Sequence, residues 1–203
     1  MKKKSRTKLS RRLGIDLTPK ARKIMAEKPY PPGEHGPAQK RRAKVSDYKL
    51  QLMEKQRLRA QYGLEERQMG NYVRKAIQQH GNPADNLVRL LESRLDAIVY
   101  RAGFARTVEA ARQYVSHRHI MVDGRWVNLP SQQIRLGQTV SVKEKSRALP
   151  VFISAKEEMV AQPPGYLQRN AEDMSVQMLY TPNRAEVPVS CEMLLVIEYY
   201  SRR

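Results

Sequence analysis

Residues 106–127 read Arg-Thr-Val-Glu-Ala-Ala-Arg-Gln-Tyr-Val-Ser-His-Arg-His-Ile-Met-Val-Asp-Gly-Arg-Trp-Val, and this stretch decides the fold. Thr107 is a helix cap, and Val108, Ala111 and Val115 recur at helical spacing, so a short helix should bury that stripe. The same periodicity turns Arg106, Arg112, Gln113 and His117 toward solvent or a partner. The pattern then changes. Ile120-Met121-Val122 and Arg125-Trp126-Val127 flank Asp123-Gly124, the dipeptide that suits a type I′ hairpin turn. A helix feeding a hairpin, with cations along the helix, has the character of a small RNA-reading module: cations, amides and imidazoles reach phosphates and 2′-hydroxyls.

On the C-terminal side, Ile134, the turn at Gly137 and the alternation Thr139-Val140-Ser141-Val142 predict further strands. A helix is expected over 152–161, stopped by Pro163-Pro164-Gly165. Strands follow over 166–168 and 175–180. Ser190 can cap a last helix reaching Tyr200; Leu194-Leu195-Val196-Ile197 suits a strand equally well, and helix is preferred.

Toward the N-terminus, Asn82 with Pro83 behind it starts a helix carrying Leu87, Leu90, Leu91, Leu95, Ile98 and Val99. That helix should end at Gly103, with a break near Ser93. Glu65-Glu66 opens another, with Met69, Val73, Ala76 and Ile77 as its inward stripe. Ser46-Asp47 caps a third, which runs to Gly63 with Lys55, Arg57 and Arg59 on its polar side.

The 203 residues hold 38 Lys+Arg and 20 Asp+Glu, a net charge of +18. The excess is localised. Residues 1–45 carry 15 basic and 3 acidic side chains and residues 94–147 carry 10 and 4, while 148–203 are mildly acidic. Two basic blocks point to docking on a polyanion. The first is an arm: Lys2, Lys3, Lys4, Arg6, Lys8, Arg11 and Arg12, continuing to Lys40, Arg41, Arg42 and Lys44. It has too few apolar residues for a core of its own, so it is expected to be extended and mobile until RNA orders it. Such a start also suits a mitochondrial presequence, but Ser is scarce and the basic character persists past residue 40. Between the basic clusters, the Pro/Gly-rich 28–37 linker offers Tyr30 and His35, either as stacking faces or, for Tyr30, as a packed structural ring.

Chemistry of other kinds lacks its residues. No phosphate-binding glycine loop, nucleophile elbow or carboxylate pair is present, so catalysis is not expected. His117-x-His119 has no third ligand beside it, and the single Cys191 excludes a thiolate zinc site. Asp96 reads as a salt-bridge partner and Asp123 as a turn residue. No apolar run approaches the roughly 20 residues of a membrane-spanning helix.

Arg94-Leu95-Asp96, Tyr100-Arg101-x-Gly103-Phe104-Ala105, Ala111-Arg112-Gln113, His117-x-His119-Ile120, Val122-Asp123-Gly124 and Val127-Asn128-Leu129-Pro130-Ser131 resemble the RNA-binding module named after bacterial small-subunit ribosomal protein S-four. The flanks resemble that ribosomal family itself: Tyr30-Pro31-Pro32-Gly33-x-His35-Gly36, Ser46-Asp47-Tyr48, Glu54-Lys55-Gln56-x-Leu58-Arg59, Leu91-Glu92-Ser93-Arg94 and Val196-Ile197-Glu198-Tyr199-Tyr200-Ser201-Arg202. The resemblance implies an early, direct binder of small-subunit ribosomal RNA that nucleates assembly of the subunit body. It also implies contact with ribosomal protein S-five near the path by which messenger RNA enters, and an influence on translational accuracy. Many members carry four arm cysteines that hold zinc. Residues 1–45 have none, so this chain resembles the cysteine-free branch, and neither metal nor cofactor is expected.

The expected fold is α+β: a helical N-terminal domain with a basic extended arm, plus a small helix–antiparallel-sheet RNA-binding module. The domains are drawn at 1–45 (arm and linker), 46–93 (helical, with 189–203 packing on it) and 94–188 (mixed, with the module at about 94–150). Expected RNA contacts are the arm cations, Tyr30, His35, Lys55, Arg57, Arg59, Arg101, Arg106, Arg112, Gln113, His117 and His119. The expected location is the small ribosomal subunit, in a bacterial cytoplasm or an organelle with bacterial-type ribosomes. Two other classes compete: a modifying enzyme such as a pseudouridine synthase, which would need a large catalytic domain, and a free RNA chaperone of stalled large subunits, which would not need the N-terminal signatures.

Overall fold

The computed structural model describes residues 5–34, 36–37, 46–157 and 162–201. The chain divides into two compact units, Met1–Gly70 with Val189–Arg203, and Asn71–Pro188.

In the first unit, α3 (Asp47–Gln61) is the central helix, capped by the Ser46 hydroxyl accepting from the Lys49 N–H at 3.4 Å. The C-terminal helix α10 (Met193–Ser201) packs along it. Met193, Val196 and Tyr199 are buried at helical spacing while Leu194 is exposed, so packing against α3 overrides the strand propensity of 194–197. Glu54 on α3 accepts from the Glu192 N–H at 2.9 Å, and Gln61 exchanges bonds of 3.2 and 3.3 Å with the Ser190 backbone.

The arm departs from expectation. Residues 6–27 form α1 (Arg6–Leu13) and α2 (Pro19–Glu27), with Thr18 capping the second. Leu13 and Ile15 are buried with Ala60 of α3, and Leu9, Leu17 and Met53 pack around them. These residues cannot build a core alone, yet they suffice to dock on a helix already present. Arg57 of α3 secures the junction by donating to the Leu13 carbonyl at 2.8 Å. In the linker, a Cβ on Gly36 would lie 1.9 Å from the Pro31 carbonyl oxygen, so only glycine fits this tight turn.

Helix α4 (Glu66–Gln78) carries the division between the units. In the second unit, α5 (Pro83–Glu92) starts under the Asn82 side chain, which accepts from the Ala84 N–H at 2.9 Å. The Asn86 amide ties it back to the carbonyls of Ala76, Gln79 and His80 at 3.1–3.2 Å. Such ties, with Tyr72 bonding Arg94, place 71–93 with the second unit, whereas the expected boundary lay at 93/94. The break at Ser93 is present, and α6 (Leu95–Arg101) follows. Residues 130–134 stitch the break through Leu95 N–H to Gln132 O at 2.9 Å and Ile134 N–H to Ser93 O at 2.8 Å. Ile134 is therefore buried in a connecting segment rather than a strand. Ile77, expected inside, is 46% exposed.

Helix α7 (Val108–Ser116), capped by Thr107, leads into an antiparallel sheet. Its strands are β1 (Ile120–Val122), β2 (Arg125–Trp126), β3 (Thr139–Val142), β4 (Leu167–Asn170) and β5 (Ser175–Met178), in the order β2-β1-β3-β5-β4. Asp123 and Gly124 have φ of +48° and +77°, as a type I′ turn requires. Ile120, Val122, Val140, Val142, Val176 and Met178 are buried, giving the sheet one apolar face. Short α8 (Glu144–Arg147) and α9 (Pro150–Glu157) connect β3 to β4. Among the described residues no helix is long and apolar enough to cross a membrane.

Candidate nucleic-acid interface

The expected contacts separate into cations committed inside the protein and cations on its surface. Lys55 belongs to the first group. Only 4% of its side chain is exposed, and its ammonium donates to Glu66 at 2.8 Å and lies 4.5 Å from the Tyr199 ring centroid. Arg59 donates to the same Glu66 at 2.9 Å, and the Tyr200 hydroxyl at 3.0 Å. Burial alone would raise the Glu66 pKa, but Lys55, Tyr200 and Arg59 outweigh it and lower it. Arg57 pairs with Glu54 and bonds the Leu13 carbonyl. Lys55 is thus corrected from RNA contact to core ion pair, and Arg57 and Arg59 spend donors on holding the unit together.

Arg101 is committed inward as well. It clamps the fully buried Glu92 with bonds of 2.7–3.2 Å, and Glu92 also accepts from the Tyr166 hydroxyl at 2.7 Å. Burial and the Glu92 carboxylate push the Tyr166 phenol far above its ordinary value, so it stays a donor. Nearby, fully buried Arg94 pairs with Asp96 and donates to the Tyr72 hydroxyl at 2.7 Å. Burial would lower the Arg94 pKa, and the Asp96 carboxylate reverses this and raises it. The salt-bridge role expected of Asp96 is the one it has.

On the arm, Arg11 donates to the Tyr30 carbonyl at 3.0 Å and stacks 5.0 Å over its ring. Of the two readings of Tyr30, the geometry is that of a half-buried structural ring. Arg6 donates to the Ala60 carbonyl at 3.3 Å. Lys8 and Arg12 are exposed, and with Arg6 and Arg59 they rim a groove of about 860 Å³ floored by Leu9 and Met53. Lys2, Lys3, Lys4, His35, Lys40, Arg41, Arg42 and Lys44 lie outside the described residues.

The second surface belongs to α7 and its flanks. Arg106, Gln113 and His117 are exposed and Arg112 is half-buried. His119 turns inward: Nδ1 lies 3.0 Å from the Ser146 hydroxyl, and its ring packs edge-on at 6.1 Å from Phe152. Burial lowers its pKa, with His117 and Lys143 adding to the effect. Its ring is therefore anchored, with a smaller outward share than expected. Exposed Arg118 and Arg125 flank the hairpin and were missed; the signal available was their place on either side of Asp123-Gly124.

These features coincide with known sequences along the whole chain. The family described as "Ribosomal protein S4/S9 N-terminal domain" matches residues 1–92, and the "S4 domain" matches residues 93–140. The small ribosomal subunit protein uS4 of Tropheryma whipplei (strain Twist) is 49% identical over 203 residues, covering 98% of both chains. That of Micrococcus luteus is 50% identical over 197 residues, covering 95% of this chain and 94% of its own. That of Leifsonia xyli subsp. xyli is 48% identical over 204 residues, covering 98% of each. With both domain types in order and near-complete coverage at such identity, the chain belongs to the uS4 family of small ribosomal subunit proteins.

Proposed function

We propose that the chain is a structural, non-catalytic constituent of the small ribosomal subunit that binds small-subunit ribosomal RNA directly. The carrying observation is its end-to-end similarity to proteins named as small-subunit components, taken with surface cations on both units. Phosphates supply most of the affinity in such binding, and helix-borne Arg, Gln and His supply fit to RNA shape. Its finer role is to nucleate assembly of the subunit body, to contact ribosomal protein S-five near the messenger-RNA path, and so to influence accuracy. It works in the cytoplasm, as part of the ribosome. The competing enzyme is disfavoured because the matched family and the relatives covered almost end to end are small ribosomal subunit proteins.

The test lies on α7. Replacing Arg106 and Arg112 together with Ala should weaken ribosomal-RNA binding and lower the slope of log affinity against log salt by about two. An unchanged slope in a folded variant would overturn their assignment to phosphates.

A further inference from the structure

Trp126 is the sole tryptophan, and it is 58% exposed on β2, the edge strand of the sheet. It stands opposite Met121, and opposed residues of an antiparallel pair share a face. Farther along that face come the polar side chains of Ser141, Thr139, Ser175, Gln177, Asn170 and Gln168. The indole therefore stands on a polar face of the sheet. Among the described residues its ring partner is the Arg118 guanidinium, 4.5 Å from the centroid.

Arg118 holds this place against its own backbone. Its φ is +62°, and it closes α7 in a Schellman turn: Arg118 N–H to Val115 O at 2.9 Å and His119 N–H to Tyr114 O at 3.0 Å. Glycine is the residue of ease at that position. A strained backbone carrying a long side chain onto an exposed ring is what a binding role retains. His117 and Arg125, the sequence neighbours of Arg118 and Trp126, are exposed, with Arg125 alternating to the Val122 face of the hairpin. The nearby acid, Asp123, is occupied by the Thr139 N–H at 2.9 Å and the Gln138 amide at 2.7 Å.

We propose that Arg118 and Trp126 form a stacking platform for one unpaired base of the bound RNA. The guanidinium lies on one face of the indole and the base on the other. Aromatic planes accept any base, and nearby cations favour a nucleotide over an apolar protein surface. The platform rests on the RNA-binding reading above and deepens it.

Because the chain has one tryptophan, its fluorescence reports this site alone. Titrating the full chain with small-subunit ribosomal RNA should quench Trp126 and shield it from acrylamide. Trp126→Leu should weaken binding on the order of tenfold with an unchanged salt slope, and Trp126→Phe should retain most of the affinity. Arg118→Gly should raise the melting temperature while weakening binding, opposite directions that a purely structural role would not produce. Tight binding of RNA by Trp126→Leu, or an undisturbed indole in the complex, overturns the platform and leaves the RNA-binding reading standing. Shielding only in assembled subunits, never by naked RNA, overturns it in favour of a protein contact. No binding of the RNA by the wild-type chain overturns both.

Discussion

Two oxygens of one carboxylate, on Glu92, hold Arg101 and Tyr166 with no solvent contact. A buried pair stripped of one partner leaves an uncompensated group, so Glu92→Ala should cost about 3–5 kcal/mol of unfolding free energy, measured by urea denaturation. A loss below about 1 kcal/mol would show that Arg101 finds water instead. Glu92 also shows why single residues were partly illegible. Arg101, Lys55 and Arg59 are the residue types that bind phosphate, and composition cannot reveal that a carboxylate on the neighbouring helix has already claimed them. Arg106 and Gln113 were readable because the helical period of Val108, Ala111 and Val115 fixes which way they turn.

Elements were legible wherever caps and periodicity agreed: Ser46, Asn82 and Thr107 each accept the expected backbone N–H. The arm was not, because docking on α3 is a tertiary effect invisible to local composition. Leu13 is 2% exposed within its small cluster. Leu13→Ala removes much of the apolar surface that anchors α1, so hydrogen-exchange protection over 9–14 should be lost while α3 and α10 keep theirs. Retained protection would mean that the arm's polar bonds suffice. The α3–α10 pairing has a pH signature. Glu66 is held below its ordinary carboxylate pKa, so its stabilisation is present above about pH 4.3 and fades as pH falls through the lower folded value. Glu66→Gln should be less stable than wild type at pH 7, with the difference shrinking as pH falls through the lowered folded value, compared by chemical denaturation. A difference that persists in acid would contradict this.

At the scale of the molecule, the net charge of +18 is not a uniform coat. Some of the basic side chains are paired with carboxylates inside the protein, as Arg101 is with Glu92 and Arg94 with Asp96. Others stand on α1, on α7 and beside the hairpin, where phosphates can reach them. The α+β architecture was readable from the change of period at Ile120. By contrast, 194–197 suits helix and strand alike in sequence, and it is packing on α3, burying Met193, Val196 and Tyr199, that fixes the final helix. The expected 93/94 boundary falls beside the 92/93 division of the matched family regions. The compact units divide at Gly70, since Asn86, Tyr72 and Arg94 bind 71–93 to the second unit through contacts that no local pattern announces. The central claim, membership of the small subunit through its RNA, is tested most directly by sedimentation of salt-washed ribosomal subunits. The account predicts one copy per small subunit after the wash; its absence there, with association confined to large subunits, would contradict it.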